Sequence, residues 1–160
     1  MGTANTRREF MAQVGAAGAV LAGAAVVTAQ AETQKTEAKA SMENSAKKII
    51  VAADPFAVTL KDAVVEHLKS LGYEVADMGS TKEKPLPYFE CGAEACKALQ
   101  AGKAERAILL CGTGMGMSIV ANRFKGVTAA VVESVFAAKM SRAINNANVL
   151  CLGQMIWGEW

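Results

Sequence analysis

From Lys48 onward the chain alternates two hydrophobic patterns. Short, nearly unbroken apolar runs occupy Lys48 to Ala53, Glu74 to Met78, Ala107 to Cys111, Val127 to Val132 and Val149 to Leu152. Runs of that length, rich in branched residues and bounded by turn formers, predict buried strands. Between the first two, Leu60, Val64, Val65, Leu68 and Leu71 recur at helical spacing, and Gly72 follows as a stop. Pro85 and Pro87 mark a loop, a second helix is expected from Cys91 to Ala101, and Gly102 ends it. Helices starting at Gly116 and near Ser134 join the last three strands. Strands that are apolar on both sides and separated by helices predict an α/β domain, a five-stranded parallel sheet covered on both faces in three layers, doubly wound.

Upstream of Lys47 the pattern changes. Thr6-Arg7-Arg8-Glu9-Phe10-Met11 is a twin-arginine motif, followed by an Ala/Gly-rich apolar run from Val14 to Ala29 and a small-x-small site at Ala29-Gln30-Ala31. The run falls short of the ~20 residues that a spanning helix needs. Residues 1–31 are therefore expected to be a twin-arginine signal peptide that exports a folded domain to the periplasm, with no stable membrane insertion after cleavage. An amphipathic or unstructured tail is the plainer alternative. Glu32 to Ala46 is polar and aperiodic, a linker, which leaves one domain over 47–160. The whole chain carries a formal net charge of +2, and the leader holds two of its basic residues and one acidic one. So near-neutral a domain offers no basic patch for nucleic acid.

The chemistry concentrates after the third strand. Cys111 closes that run, Gly112, Gly114 and Gly116 follow at alternate positions, and Ser118 to Ala121 begins a helix. Strand, glycine loop and helix turn backbone N–H groups toward one point, where they hold an anion. A thiol at the carboxyl end of a parallel strand sits where open α/β sheets place ligands, and amide donors bias it toward the thiolate. Cys111 is thus expected to be accessible, a base or nucleophile beside an oxyanion hole. A dinucleotide fingerprint competes with this reading, because Glu133 lies about twenty residues on, where a ribose-binding acid belongs. Its third glycine, however, falls at Met117. The remaining candidates are bland. Cys91 and Cys96 are expected on different faces of one helix, unsuited to a disulfide, and Cys151 in a strand core. His67, the only histidine, belongs on the solvent side of its helix. No cysteine and histidine spacing suggests a metal, and no cofactor is expected.

The segment Cys111 to Arg123, read as Cys-Gly-Thr-Gly-x-Gly-x-Ser-Ile-x-Ala-Asn-Arg, resembles the signature loop of the type B ribose-5-phosphate isomerases. Those enzymes form one sugar-phosphate isomerase family with the galactose-6-phosphate isomerase subunits. The likeness extends through Lys48-Ile-Ile-Val-Ala-Ala-Asp54, Leu71-Gly-Tyr-Glu-Val-Ala-Asp-Met-Gly79, Ser141-Arg142 and Asn145-Asn-Ala-Asn-Val-Leu-Cys-Leu-Gly153. It implies a Rossmann-like fold and aldose–ketose isomerisation through an enediolate, on a sugar phosphate or related sugar. It also implies Cys111 as base, Thr113 assisting ring opening, and the amides from Gly112 through Gly114 and Met115 to Gly116 as oxyanion donors. Asp54, Arg142 and Asn145 would contact substrate, in a homodimer whose active sites are shared between subunits.

The chain departs from that pattern at several points. The family's Asp-His-x-Gly after the first strand is Asp54-Pro55-Phe56-Ala57, and its Asp-Tyr-Pro appears as Pro87-Tyr88-Phe89. Ile144 replaces the ring-opening histidine, and Met155 stands at an arginine position. The sequence stops at Trp160, before the family's last helix with its phosphate-binding arginines, so a shortened C-terminus is expected. These departures keep open a second reading, an exported sugar- or anion-binding pseudoenzyme on the same fold.

Overall fold

The computed structural model describes residues 47–157. The expected signal peptide (1–31), the expected linker (32–46) and Trp160 lie outside the described residues. Five strands, β1 (Lys48–Ala53), β2 (Glu74–Asp77), β3 (Arg106–Cys111), β4 (Ala129–Val131) and β5 (Val149–Gly153), form one parallel sheet in the order β2-β1-β3-β5-β4. The helices are α1 (Val58–Ser70), α2 (Tyr88–Gln100), α3 (Met115–Ala121), α4 (Val135–Asn145) and the short α5 (Gln154–Trp157). The expected α/β sheet is what forms. Among the described residues no helix is long and apolar enough to cross a membrane.

Alternation along each strand sorts side chains onto two faces. Ile50 and Ala52 of β1, Ala107, Leu109 and Cys111 of β3, and Val149 and Cys151 of β5 share a core with α2 and α3. The opposite face, with Val51, Ala53 and Leu110, packs on Val65 and Leu68 of α1. Each fully buried aliphatic side chain contributes about 1.5–3 kcal/mol. Both faces must therefore be covered, and only helical crossovers can do so in a parallel sheet.

Two features of this packing escape the apolar pattern. Lys61 is almost fully buried on α1, and its Nζ meets Asp77 Oδ2 at 2.5 Å and Asp62 Oδ1 at 3.3 Å, tying the helix to the end of β2. Gly79 is the second. A β-carbon there would stand 2.3 Å from the Ala53 nitrogen, so only glycine lets the chain leaving β2 hug the end of β1. Ser80, fully buried next to it, donates to the Leu86 carbonyl and accepts from the Leu86 amide, which fastens the following loop.

Several expected boundaries shift. Helix α2 starts at Tyr88, three residues before Cys91, because Pro87 in extended conformation already serves as its N-cap. Strand β4 shrinks to Ala129–Val131, since Val127 N–H is spent on the Phe124 carbonyl in a turn. Cys91 and Cys96 do not diverge in environment. Both are fully buried in one cluster, because α2 is enclosed between the sheet and α3, whose Met117 and Val120 crowd Gly92. All four cysteines are free. His67 is exposed, as expected.

Candidate active site

The strand order creates a crevice. From β1 the chain crosses to β2 at one edge, while from β3 it crosses toward β4 at the other, so the carboxyl ends of β1 and β3 diverge. Open α/β sheets bind ligands at such a switch point. Cys111 and Asp54 both lie there. Ala53 pairs with Leu110 in register, and Asp54 N–H donates to the Leu110 carbonyl at 3.1 Å. Asp54 therefore stands beside Cys111, on the sheet face that Ile50 and Ala52 also point to.

The glycine loop is built by its neighbours. Gly114 has φ +78, which brings the chain back so that its N–H donates to Cys111 Sγ at 3.0 Å. A β-carbon on Gly153, at the end of β5, would come within 2.7 Å of Thr113 Cα, so the loop rests directly on that strand end. Met155 N–H donates to the Gly112 carbonyl at 2.9 Å, and the Met155 side chain lies over Gly112. The Tyr88 ring covers Gly116, where a β-carbon would sit 3.0 Å from it. Thr113 is exposed and its Oγ1 accepts from Met115 N–H at 3.4 Å, while the Met115 side chain projects outward.

Electrostatics divides the titratable groups. Asp54 is buried, which raises its pKa above the ordinary carboxylate value against the opposing amides of Phe56 and Ala57. One of its oxygens accepts from Phe56 N–H at 2.9 Å. Burial, helped by the nearby Asp54 and Cys111, pushes the Cys91 thiol up to about 12. Burial alone pushes Cys96 up to about 11, and it raises Cys151 as well. Cys111 is 5% exposed, which corrects the expectation of an open thiol: Met117 of α3 and Cys91 of α2 belong to the core that closes over it.

Of the sequence-predicted residues, Asp54, Cys111, Gly112, Thr113, Gly114, Met115 and Gly116 come together at the carboxyl edge. Arg142 and Asn145 do not. They end α4, which runs back to the amino edge, and Arg142 Nη1 donates to the Asn146 and Ala147 carbonyls at 3.2 Å each. The length of β5 puts them about 16 Å from the carboxyl edge of their own chain. Sequence reasoning missed Tyr88, Gly153 and Met155 as supports of the loop. A glycine ending a strand was the one visible signal for Gly153; the other two have none in local pattern.

Residues 49–160 match the model of the ribose/galactose isomerase family. The chain belongs to that family, a class of sugar isomerases, and the dinucleotide-binding reading gives way to it. Among its relatives, the 4-deoxy-4-sulfo-D-erythrose isomerase of Clostridium sp. (strain MSTE9) is 48% identical over 110 residues, covering 68% of this chain and 69% of that protein. The D-erythrulose-4-phosphate isomerase of Pectobacterium atrosepticum is 38% identical over 112 residues, 69% of this chain and 73% of that protein. The solved structure of Clostridium thermocellum ribose-5-phosphate isomerase B superposes with a TM-score of 0.66 at 38% identity, covering 68% of this chain and 74% of that one.

Proposed function

We propose that this protein is an aldose–ketose isomerase acting on a small acidic sugar, with Cys111 as the base. The observation that carries the reading is the Gly114 N–H aimed at Cys111 Sγ beside the buried Asp54, at the switch point of a sugar-isomerase fold. Cys111 takes the proton from the carbon next to the carbonyl and returns it to the neighbouring carbon. The enediolate between the two steps is held by amides of the Gly112–Gly116 loop, each worth about 3 kcal/mol of barrier when preorganised. Asp54 and Thr113 engage substrate hydroxyls. Arg142 and Asn145 serve the site of a second copy in a homodimer, since in their own chain they stand at the opposite edge. The substrates named for the relatives, 4-deoxy-4-sulfo-D-erythrose, D-erythrulose 4-phosphate and ribose 5-phosphate, are the candidates. The same proposal includes export by the twin-arginine leader to the periplasm.

Proton NMR in deuterated water tests the chemistry. The wild-type protein exchanges the hydrogen next to the carbonyl of its substrate, and Cys111→Ser abolishes the exchange while keeping the fold, because thiol and hydroxyl are close in volume. A second reading, a sugar-binding protein without catalysis, draws on the exposed apolar residues Phe56, Phe89, Met115 and Trp157 at this edge. A candidate sugar that shields Cys111 from alkylation in the wild-type protein, yet shows no hydrogen exchange, would establish that reading instead.

A further inference from the structure

Isomerising a pentose or hexose has two chemical parts. The ring must open, which requires an acid to protonate the ring oxygen while the anomeric hydroxyl loses its proton. Only then can a base shuttle a proton between the two carbons. The groups gathered at Cys111 serve the second part, and no imidazole stands among them to serve the first. Among the described residues Asp54, Cys91 and Cys151 are in electrostatic contact with the site, and burial pushes both thiols up, Cys91 to about 12, so that they hold their protons at neutral pH. The Thr113 hydroxyl ionises far from neutrality and only relays protons supplied by a stronger acid. The single histidine of the 160 residues, His67, is exposed in the last turn of α1, at the amino edge of the sheet. The residue ahead of Asn145 is Ile144, an exposed isoleucine with 73% of its surface in solvent. A second copy that brings Asn145 to the site brings the same Ile144 directly ahead of it, with no imidazole at that position.

Resting on the isomerase reading above, we infer that the substrate has no ring to open: it is a four-carbon aldose or ketose whose C4 carries an acid group in place of a free hydroxyl. Closing a five-membered hemiacetal ring on C1 takes the oxygen on C4. Where that oxygen is esterified, or replaced by a sulfonate, the sugar stays in its open form. The chemistry then balances with the groups present. Starting from the aldose, the C2 hydrogen leaves as a proton to the Cys111 thiolate, and its electron pair forms the C1–C2 double bond. The C1 carbonyl pair moves onto O1, which the loop amides hold and which takes up the proton that O2 releases. The O2 hydroxyl then gives up its proton, its electrons form the C2 carbonyl, and the double-bond pair takes the proton back from Cys111 at C1. Nothing is oxidised or reduced by an outside group.

The test compares kcat/KM for D-erythrulose 4-phosphate, 4-deoxy-4-sulfo-D-erythrose and D-ribose 5-phosphate on the complete chain. General acid–base assistance to one step is worth about 100- to 10,000-fold. The better four-carbon sugar is therefore expected to exceed ribose 5-phosphate by about 100-fold or more, and the two four-carbon arms show whether the acid is phosphate or sulfonate. Ile144→His is expected to raise turnover of ribose 5-phosphate by about tenfold or more relative to the four-carbon sugar. A smaller ratio between the substrates, with hydrogen exchange still visible, overturns the inference and leaves the isomerase standing. Absence of exchange with all three sugars overturns the isomerase reading, and this inference with it.

Discussion

Replacing Gly153 by alanine probes how the loop is held. The new methyl would lie 2.7 Å from Thr113 Cα, 2.7 Å from its carbonyl carbon and 2.9 Å from the Gly112 carbonyl oxygen. Ordinary contact begins near 3.4 Å, so one backbone must retreat by roughly 0.7 Å, and neither is a flexible side-chain tip that can swing aside. Gly153 is also the register partner of Cys111 in β3, so the strand end and the loop cannot part without moving the site. Overpacking of this kind costs about 1–3 kcal/mol. The displacement also stretches the 3.0 Å contact from Gly114 N–H to Cys111 Sγ, and a misplacement near 1 Å costs about 100-fold in rate. Urea unfolding reads the first effect and solvent hydrogen exchange into substrate reads the second. Gly72→Ala is the comparison: it has open space but φ +82, so it is expected to lose about 1 kcal/mol of stability with exchange intact. If Gly153→Ala kept wild-type stability and wild-type exchange, the loop would not rest on β5 as described.

Lys61→Ala removes the cation between Asp77 and Asp62 and should cost about 3 kcal/mol by urea unfolding, the low end for a broken buried pair because Asp77 is partly solvated. Burial opposes the Lys61 charge, but the two carboxylates outweigh it and raise its pKa above 10.5, so the pair's contribution should be complete below that pH and fade as pH climbs through the raised value; unchanged alkaline stability between wild type and variant would contradict this. With Cys91 and Cys96 pushed up to about 12 and 11, alkylation at pH 7.5 should mark Cys111 ahead of Cys91, Cys96 and Cys151, as peptide mapping would show, and a bound sugar should slow it; first labelling of a core thiol would reject the assignment. Replacing Arg7 and Arg8 by lysine should retain the precursor in the cytoplasm, and undiminished periplasmic delivery would count against the leader.

The local sequence determined which segments are strands and which are helices, because an unbroken apolar run and a 3.6-residue period report burial on two faces or on one. It also marked the loop: three alternate glycines after a strand leave few backbone paths, and Cys111 at their head follows from position alone. What it did not contain was adjacency. Asp54 and Cys111 meet because β1 pairs with β3, not with β4 or β5, a choice made by crossover handedness and by which helices cover which face. Lys61 reads as a solvent residue until Asp77 is seen at its amine, since the cost of burying a charge depends on its partner. The two cysteines of α2 share one core because a helix enclosed between a sheet and a neighbour has no dry face and wet face to separate them. Arg142 and Asn145 follow the glycine loop closely in sequence, yet α4 carries them back along the full length of β5 to the other edge of the sheet. Periodicity records how much water a residue avoids; only the packed chain decides what it meets there instead.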